Sequence, residues 1–168
     1  GEPIALEVPL LRRDGVRYEL ELRGVPIRHR GRPHVLYIGR DVTERKHAEQ
    51  ALRASEEQYR AIFNASADAM VLWNSQFRRV DVNPAYERMY GWTRAEVIGR
   101  GFDFPEFSPE HMALRRELVH RALAGETCHS EHDVLGKDGR RLQAEVHAIP
   151  FRHRGEPHVL IIARDITE

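Results

Sequence analysis

Residues 135–168 read LGKDGRRLQAEVHAIPFRHRGEPHVLIIARDITE, and residues 11–44 read LRRDGVRYELELRGVPIRHRGRPHVLYIGRDVTE. They align without a gap, with 19 of 34 positions identical at an offset of 124 residues. The same offset pairs Gly1-Glu2 with Gly125-Glu126, so the match extends over the stretch before Arg45. A period this long is a whole domain rather than a solenoid unit. The expected organisation is the last three strands of one domain over residues 1–44, a helical linker over 45–66 and a complete second domain over 67–168.

Each copy carries the pattern of strands. Leu142, Ala144, Val146 and Ala148 alternate with Arg141, Gln143, Glu145 and His147, a period of two that buries one face. Tyr18, Leu20 and Leu22 keep that parity against Arg17, Glu19, Glu21 and Arg23. Lys137-Asp138-Gly139 and Arg13-Asp14-Gly15 read as hairpin turns, because Asp-Gly readily takes the positive φ that a tight reversal needs. Arg-Gly-Glu-Pro at 154–157 and Arg-Gly-Arg-Pro at 30–33 mark the next reversal. His158–Arg164 is apolar on both faces, which predicts a central strand. Its counterpart His34–Arg40 lacks the first strand of its own domain, and an apolar edge left in this way recruits another strand.

Residues 42–64 contain neither Gly nor Pro. Asp41 followed by Glu44 fits a capping box that opens a helix. Ala48, Leu52, Ser55, Tyr59 and Ile62 follow 4-3-4-3 spacing, the seam of a two-stranded coiled coil, and so predict a homodimer. The alternative is a solvated helix leaning on the domain that follows. Ser55-Glu-Glu-Gln58 is a second capping-box pattern, where a break in the helix would fall.

Beyond the linker, Ala69–Trp73 and Arg78–Asn83 read as strands around a turn at Asn74-Ser75-Gln76. Asn83-Pro84 starts a helix, since Asn caps it and Pro at its first position loses no useful donor. Thr93-Arg-Ala-Glu96 is a capping box for a short helix ending at Gly99. Ser108-Pro109 opens a longer helix that Gly125 ends.

Lys plus Arg equals Asp plus Glu at 26 each, so no long-range field gathers nucleic acid or an anionic membrane. The apolar runs are far shorter than the roughly 20 residues that span a bilayer. One cysteine, Cys128, fits a reducing compartment, and the expected location is the cytoplasm. No constellation of catalytic residues is present, and the chain is not expected to be an enzyme.

The order of elements, with these words in it, resembles the PAS domain of bacterial sensor proteins. The carrying residues are Val82-Asn83-Pro84-Ala85-Tyr86, Tyr90-Gly91-Trp92-Thr93 with Glu96-Val97-Ile98-Gly99, Lys137-Asp138-Gly139-Arg140 and Asp165-Ile166-Thr167-Glu168. The resemblance implies an α+β fold, a five-stranded antiparallel sheet of order 2-1-5-4-3 with helices on one face, preceded by the linker helix and a partial three-stranded sheet. It also implies a pocket or a protein-contact surface between sheet and helices. Candidate lining residues are Met70, Leu72, Tyr86, Met89, Tyr90, Leu118, Leu142, Ala144, Val146, Leu160 and Ile162. An ordinary filled core is the other reading of the same residues. The terminal motif would join the last strand to an outgoing helix through Asp165 and Thr167, and earlier through Asp41 and Thr43. Such domains precede an output domain, a histidine kinase or a cyclic-dinucleotide enzyme, that lies outside this chain. The implied function is sensing of a small molecule or partner with relay along the helix; the alternative is a ligand-free dimerising spacer.

No cofactor is predicted. Light-sensing relatives carry Asn-Cys after the Gly-Arg found at Gly99-Arg100, whereas Gly101-Phe102 follows here, so no thiol is placed to form a flavin adduct. Non-covalent flavin stays open. Haem also stays open, because haem-binding relatives use a histidine on the long helix. His111 and His120 are nine residues apart and therefore on opposite faces. No metal site is predicted: His129 and His132 point to opposite faces of a strand, and the pairs His29/His34 and His153/His158 at the turns offer too few ligands. Cys128 has no neighbouring base to activate it.

Overall fold

Gly15 and Gly139 take φ of 84° and 83°, and each turn opens a long antiparallel pairing. The computed structural model describes residues 4–102, 104 and 109–167. The chain divides into two compact units, Gly1–Tyr59 and Arg60–Glu168.

In the first unit, β1 (Ile4–Leu11), β2 (Arg17–His29) and β3 (Arg32–Asp41) form an antiparallel sheet in that order. Leu6 faces Leu22 and Val8 faces Leu20 across the first pair, so alternation places like residues on one face. β3 is the edge. Val35, Tyr37 and Ile38 on it are each more than half exposed.

Helix α1 (Thr43–Ala65) runs through Ser55–Gln58 without a break. Its start differs from the expected capping box: the Asp41 carboxylate accepts from the Thr43 amide at 2.9 Å rather than acting with Glu44. The division between units falls at Tyr59/Arg60, inside the helix and before residue 66. Phe63 explains why, being buried in the second unit with its carbonyl accepting from Asn83 Nδ2 at 3.1 Å. Leu52, Tyr59 and Ile62 of the expected seam are exposed, as are Ala48 and Ser55.

The second unit contains β4 (Ala69–Asn74), β5 (Arg79–Val82), α2 (Pro84–Tyr90), α3 (Arg94–Val97), α4 (Pro109–Leu123), β6 (Cys128–Leu135), β7 (Arg141–His153) and β8 (Glu156–Asp165). Its five-stranded sheet has the order β5-β4-β8-β7-β6, which is 2-1-5-4-3 counted within the unit. β8 is central, as its two apolar faces require. Asn83 caps α2, Pro84 occupies its first turn, and Gly91 ends it at φ 75°. The Thr93 amide and hydroxyl both donate to the Glu96 carboxylate at 2.9 Å, which opens α3. The core lies between the sheet and the helices, with Val71, Trp73, Tyr86, Tyr90, Leu118, Leu142, Ala144, Val146, Val159 and Ile161 in it.

Register corrects four expected pocket residues. Ala148 lies opposite Ile161 and Val146 opposite Ala163, and directly paired residues share a face. Because β7 turns Val146 and Ala148 inward, β8 must turn Val159, Ile161 and Ala163 inward. Leu160 and Ile162 therefore lie on the outer face, as do their partners Leu72 and Met70 on β4. All four are half-buried. Tyr86, Tyr90, Leu118, Leu142, Ala144 and Val146 are buried on the inner side, and Met89 is partly buried against that core.

Candidate functional site

Two sites hold polar groups in an arrangement that packing alone does not require. The first is the end of each repeat. After β3, the Val42 amide donates to the Glu19 carbonyl at 2.8 Å. The Glu19 amide in turn donates to Thr43 Oγ1 at 2.9 Å. Thr43 then donates twice to one oxygen of Asp41, from its amide at 2.9 Å and from its hydroxyl at 2.6 Å. These two hydrogen bonds hold the Asp41 carboxyl below its ordinary range, the hydroxyl contributing most. Lys46 starts the helical ladder by donating to the Val42 carbonyl at 2.9 Å. Its ammonium lies 2.6 Å from Glu7 and 3.5 Å from Glu19. The first turn of α1 is thus tied to β1, β2 and β3 together.

The second repeat ends in the same clasp. Ile166 donates to the Gln143 carbonyl at 2.8 Å, and the Gln143 amide donates to Thr167 Oγ1 at 2.9 Å. The Thr167 amide donates to Asp165 at 2.9 Å, and the Thr167 hydroxyl first, with this amide second, lowers the Asp165 carboxyl. Asp-x-Thr therefore fixes what leaves the sheet to the first turn-proximal residues of the neighbouring strand, in both copies. A displacement of that strand reaches the departing backbone through two hydrogen bonds.

The second site is a polar cluster between α4 and β6. Arg115 is 7% exposed and donates from Nη2 to Tyr90 Oη at 3.2 Å. His132 is buried beside it, 3.3 Å from Ser130 Oγ, and the His111 ring stands 6.2 Å from the His132 ring. His120, on the other side of α4, is exposed and stacks on Phe77. Arg79 is also buried, its guanidinium 4.8 Å from the Trp73 ring. Parity along β6 is the signal that places His132 inside, since Cys128 and Val134 share its face. Burial pushes the Cys128 thiol up, which keeps it unreactive.

His132 gives the unit a pH dependence. Burial, aided by the charge of Arg115, pulls its imidazole down from 6.5 to about 4. The sign follows from the charged form being disfavoured in the fold. Above pH 6.5 the group is neutral in both states; below it the unfolded chain takes up a proton that the folded chain refuses, until about pH 4. Stability is therefore lost over that window, at up to about 1.4 kcal/mol per pH unit. His132→Leu is expected to remove about 1.5 kcal/mol of the loss between pH 6.5 and 5. Urea unfolding at both pH values checks this; equal losses in the two proteins would contradict it.

Two surface clefts of about 260 Å³ lie on the second unit. One is lined by Arg88, Met89, Tyr90, Gly91, Lys137, Asp138 and Arg140. The other lies among Arg60, Asn64, Asp81, Asn83, Glu87 and Arg94. No helix among the described residues is long and apolar enough to cross a membrane.

A family model described as PAS fold matches residues 63–168, and another described as PAS domain matches residues 1–44. Sporulation kinase E of Bacillus subtilis is 40% identical over 62 residues, covering 37% of this chain and 8% of its own length. Sensor protein FixL of Bradyrhizobium diazoefficiens is 26% identical over 144 residues, covering 80% of this chain and 28% of its own length. The chain thus spans less than a third of either relative. Among solved structures, the PAS domain of an HTR-like protein from Haloarcula marismortui matches with a TM-score of 0.58 and 26% identity, over 72% of this chain and 99% of that one.

Proposed function

The chain belongs to the PAS family, and we propose that it is a cytoplasmic sensory module that relays a conformational signal through α1 to an output domain outside residues 1–168. The observation that carries this reading is the clasp of Asp41, Thr43 and Glu19, repeated at Asp165, Thr167 and Gln143. One copy of it opens directly into a 23-residue helix. The module catalyses no reaction itself, and no cofactor is assigned to it. Its input is a small molecule or a partner. Arg115, His132 and Tyr90 mark where a polar ligand meets hydrogen-bonding groups beneath α4.

Two helices pair through Ala48, Leu52, Ser55, Tyr59 and Ile62 in this reading, which makes the relaying species a homodimer. The apolar members of that row are exposed in the single chain, and exposed apolar seams are covered by partners. Leu52→Lys with Tyr59→Lys is expected to shift sedimentation from dimer to monomer. In the parent protein the same pair of substitutions is expected to abolish the response to stimulus. An unchanged dimer would rule this seam out.

The second reading, a ligand-free dimerising spacer, is supported by Tyr86, Tyr90, Leu118 and Val146 filling the space between sheet and helices. Native mass spectrometry and an absorbance spectrum of the purified chain separate the two. A co-purifying small molecule supports sensing; a tight dimer with none supports the spacer.

A further inference from the structure

β6 is an edge strand, and its face away from the helices carries His129, Glu131 and Asp133. In register on β7, His129 lies opposite His147 and Glu131 opposite Glu145. Like groups are thus paired with like in two successive rungs. The His129 Nε2 atom is 3.3 Å from Glu145 Oε1, and His147 Nε2 is 3.6 Å from the same oxygen. The three donor atoms all lie within 4.8 Å of one another.

We propose that His129, Glu145 and His147 bind one divalent transition-metal cation of the zinc class. Zinc sits about 2.0–2.2 Å from imidazole nitrogen and carboxylate oxygen, so neighbouring ligands of a tetrahedral site stand about 3.3–3.6 Å apart. The two nitrogen-to-oxygen separations fall in that range before any side chain moves. Two imidazoles and one carboxylate suit zinc, cobalt, nickel or copper, whereas calcium and magnesium require a shell of oxygens.

Charge favours the same occupant. Facing carboxylates on neighbouring strands destabilise a sheet, and Glu131 faces Glu145. Arg164 lies opposite Glu145 on the other side, but its guanidinium bonds both oxygens of Asp68 at 3.2 and 3.0 Å. A dication between the two rungs relieves the repulsion. His129 and its neighbours are open enough for the cation to arrive from solvent, with Glu145 and His147 half-buried. The fourth position is left to Glu131 or water.

The first repeat supplies an internal control. Its counterparts of His129 and His147 are Ala5 and Arg23, which pair in the same register. A sheet of this kind therefore accepts both residues, and His129→Ala and His147→Arg are substitutions the fold tolerates.

The test is calorimetric titration of the tag-free chain with zinc chloride, with cobalt(II) absorption as a second readout. One equivalent is expected to bind with a dissociation constant of about 10 µM or below. His129→Ala and His147→Arg should each weaken binding at least tenfold and abolish the tetrahedral cobalt bands, with circular dichroism unchanged. His153→Ala, which removes a member of another close histidine pair, should leave both readouts intact. No binding of zinc at millimolar concentration, or a single equivalent bound equally well by both variants, overturns the proposal.

Discussion

Asn83→Ala is expected to destabilise the second unit by about 3–5 kcal/mol. The side chain is 1% exposed and uses its full hydrogen-bonding capacity. Its Oδ1 accepts from the Met70 amide at 2.9 Å and the Tyr86 amide at 3.0 Å. Its Nδ2 donates to the Phe63 carbonyl at 3.1 Å and the Asp68 carbonyl at 3.0 Å. One residue thereby joins the end of α1, the segment before β4, β4 itself and the start of α2. Alanine leaves those groups without their partner, at about 1–3 kcal/mol for each that stays buried and unsatisfied. Asn83→Asp is expected to be as damaging, because it sets a carboxylate against two carbonyls. Asn83→Ser retains only the cap and should recover about 1 kcal/mol. Urea unfolding followed by tryptophan fluorescence measures these differences. A loss below about 1 kcal/mol for Asn83→Ala would mean that the residue acts only as a helix cap.

That contrast between cap and hub marks how far the sequence could be read. Asn83-Pro84 announced the helix start because capping is local. The partners at Phe63 and Asp68 are fixed only once the strands pair. Alternation on β7 was legible because polar residues occupy its outer face. On β8 both faces are apolar, so period alone could not choose a parity, and Leu160 and Ile162 were placed on the wrong side along with Met70 and Leu72. Arg79 and Arg115 were missed because a charged residue reads as surface unless its neighbours are known; here aromatic rings and Tyr90 Oη receive them. His129 and His147 are 18 positions apart and meet only through register. The strand order came from the resemblance to a family, and the Asp-x-Thr turn from a local motif, whereas its links to Glu19 and Gln143 arise only once the strands pair.

Asp41→Ala carries the second large effect. The Asp41 carboxylate holds the Thr43 amide and hydroxyl, and the hydroxyl then receives the Glu19 amide. Removing the carboxylate frees the first turn of α1 from β3 and loosens the Thr43–Glu19 link. Amide exchange at Thr43 and Glu19 is expected to speed up by about tenfold, with slower sites of β2 unaffected. Thr43→Ser should behave as the parent chain, and Thr43→Val, which loses the hydroxyl but keeps the residue-43 amide on Asp41, should speed exchange at Glu19 alone. Because the carboxyl is held below its ordinary range by these bonds, its contribution is present above the unfolded value near 3.8 and is lost as pH falls through the folded value. Acidification should therefore mimic the substitution. Unchanged exchange at Thr43 and Glu19 would remove the clasp from the account.

The relay itself is tested most directly in the parent protein by measuring output with and without stimulus for Asp41→Ala. The clasp account predicts that output no longer changes with stimulus, while the unfolding midpoint of the second unit and the binding of any ligand stay as in the parent. Thr43→Ser, which keeps the hydroxyl, should respond normally. A stimulus response of full amplitude in Asp41→Ala would contradict the claim that this clasp passes the signal from sheet to helix.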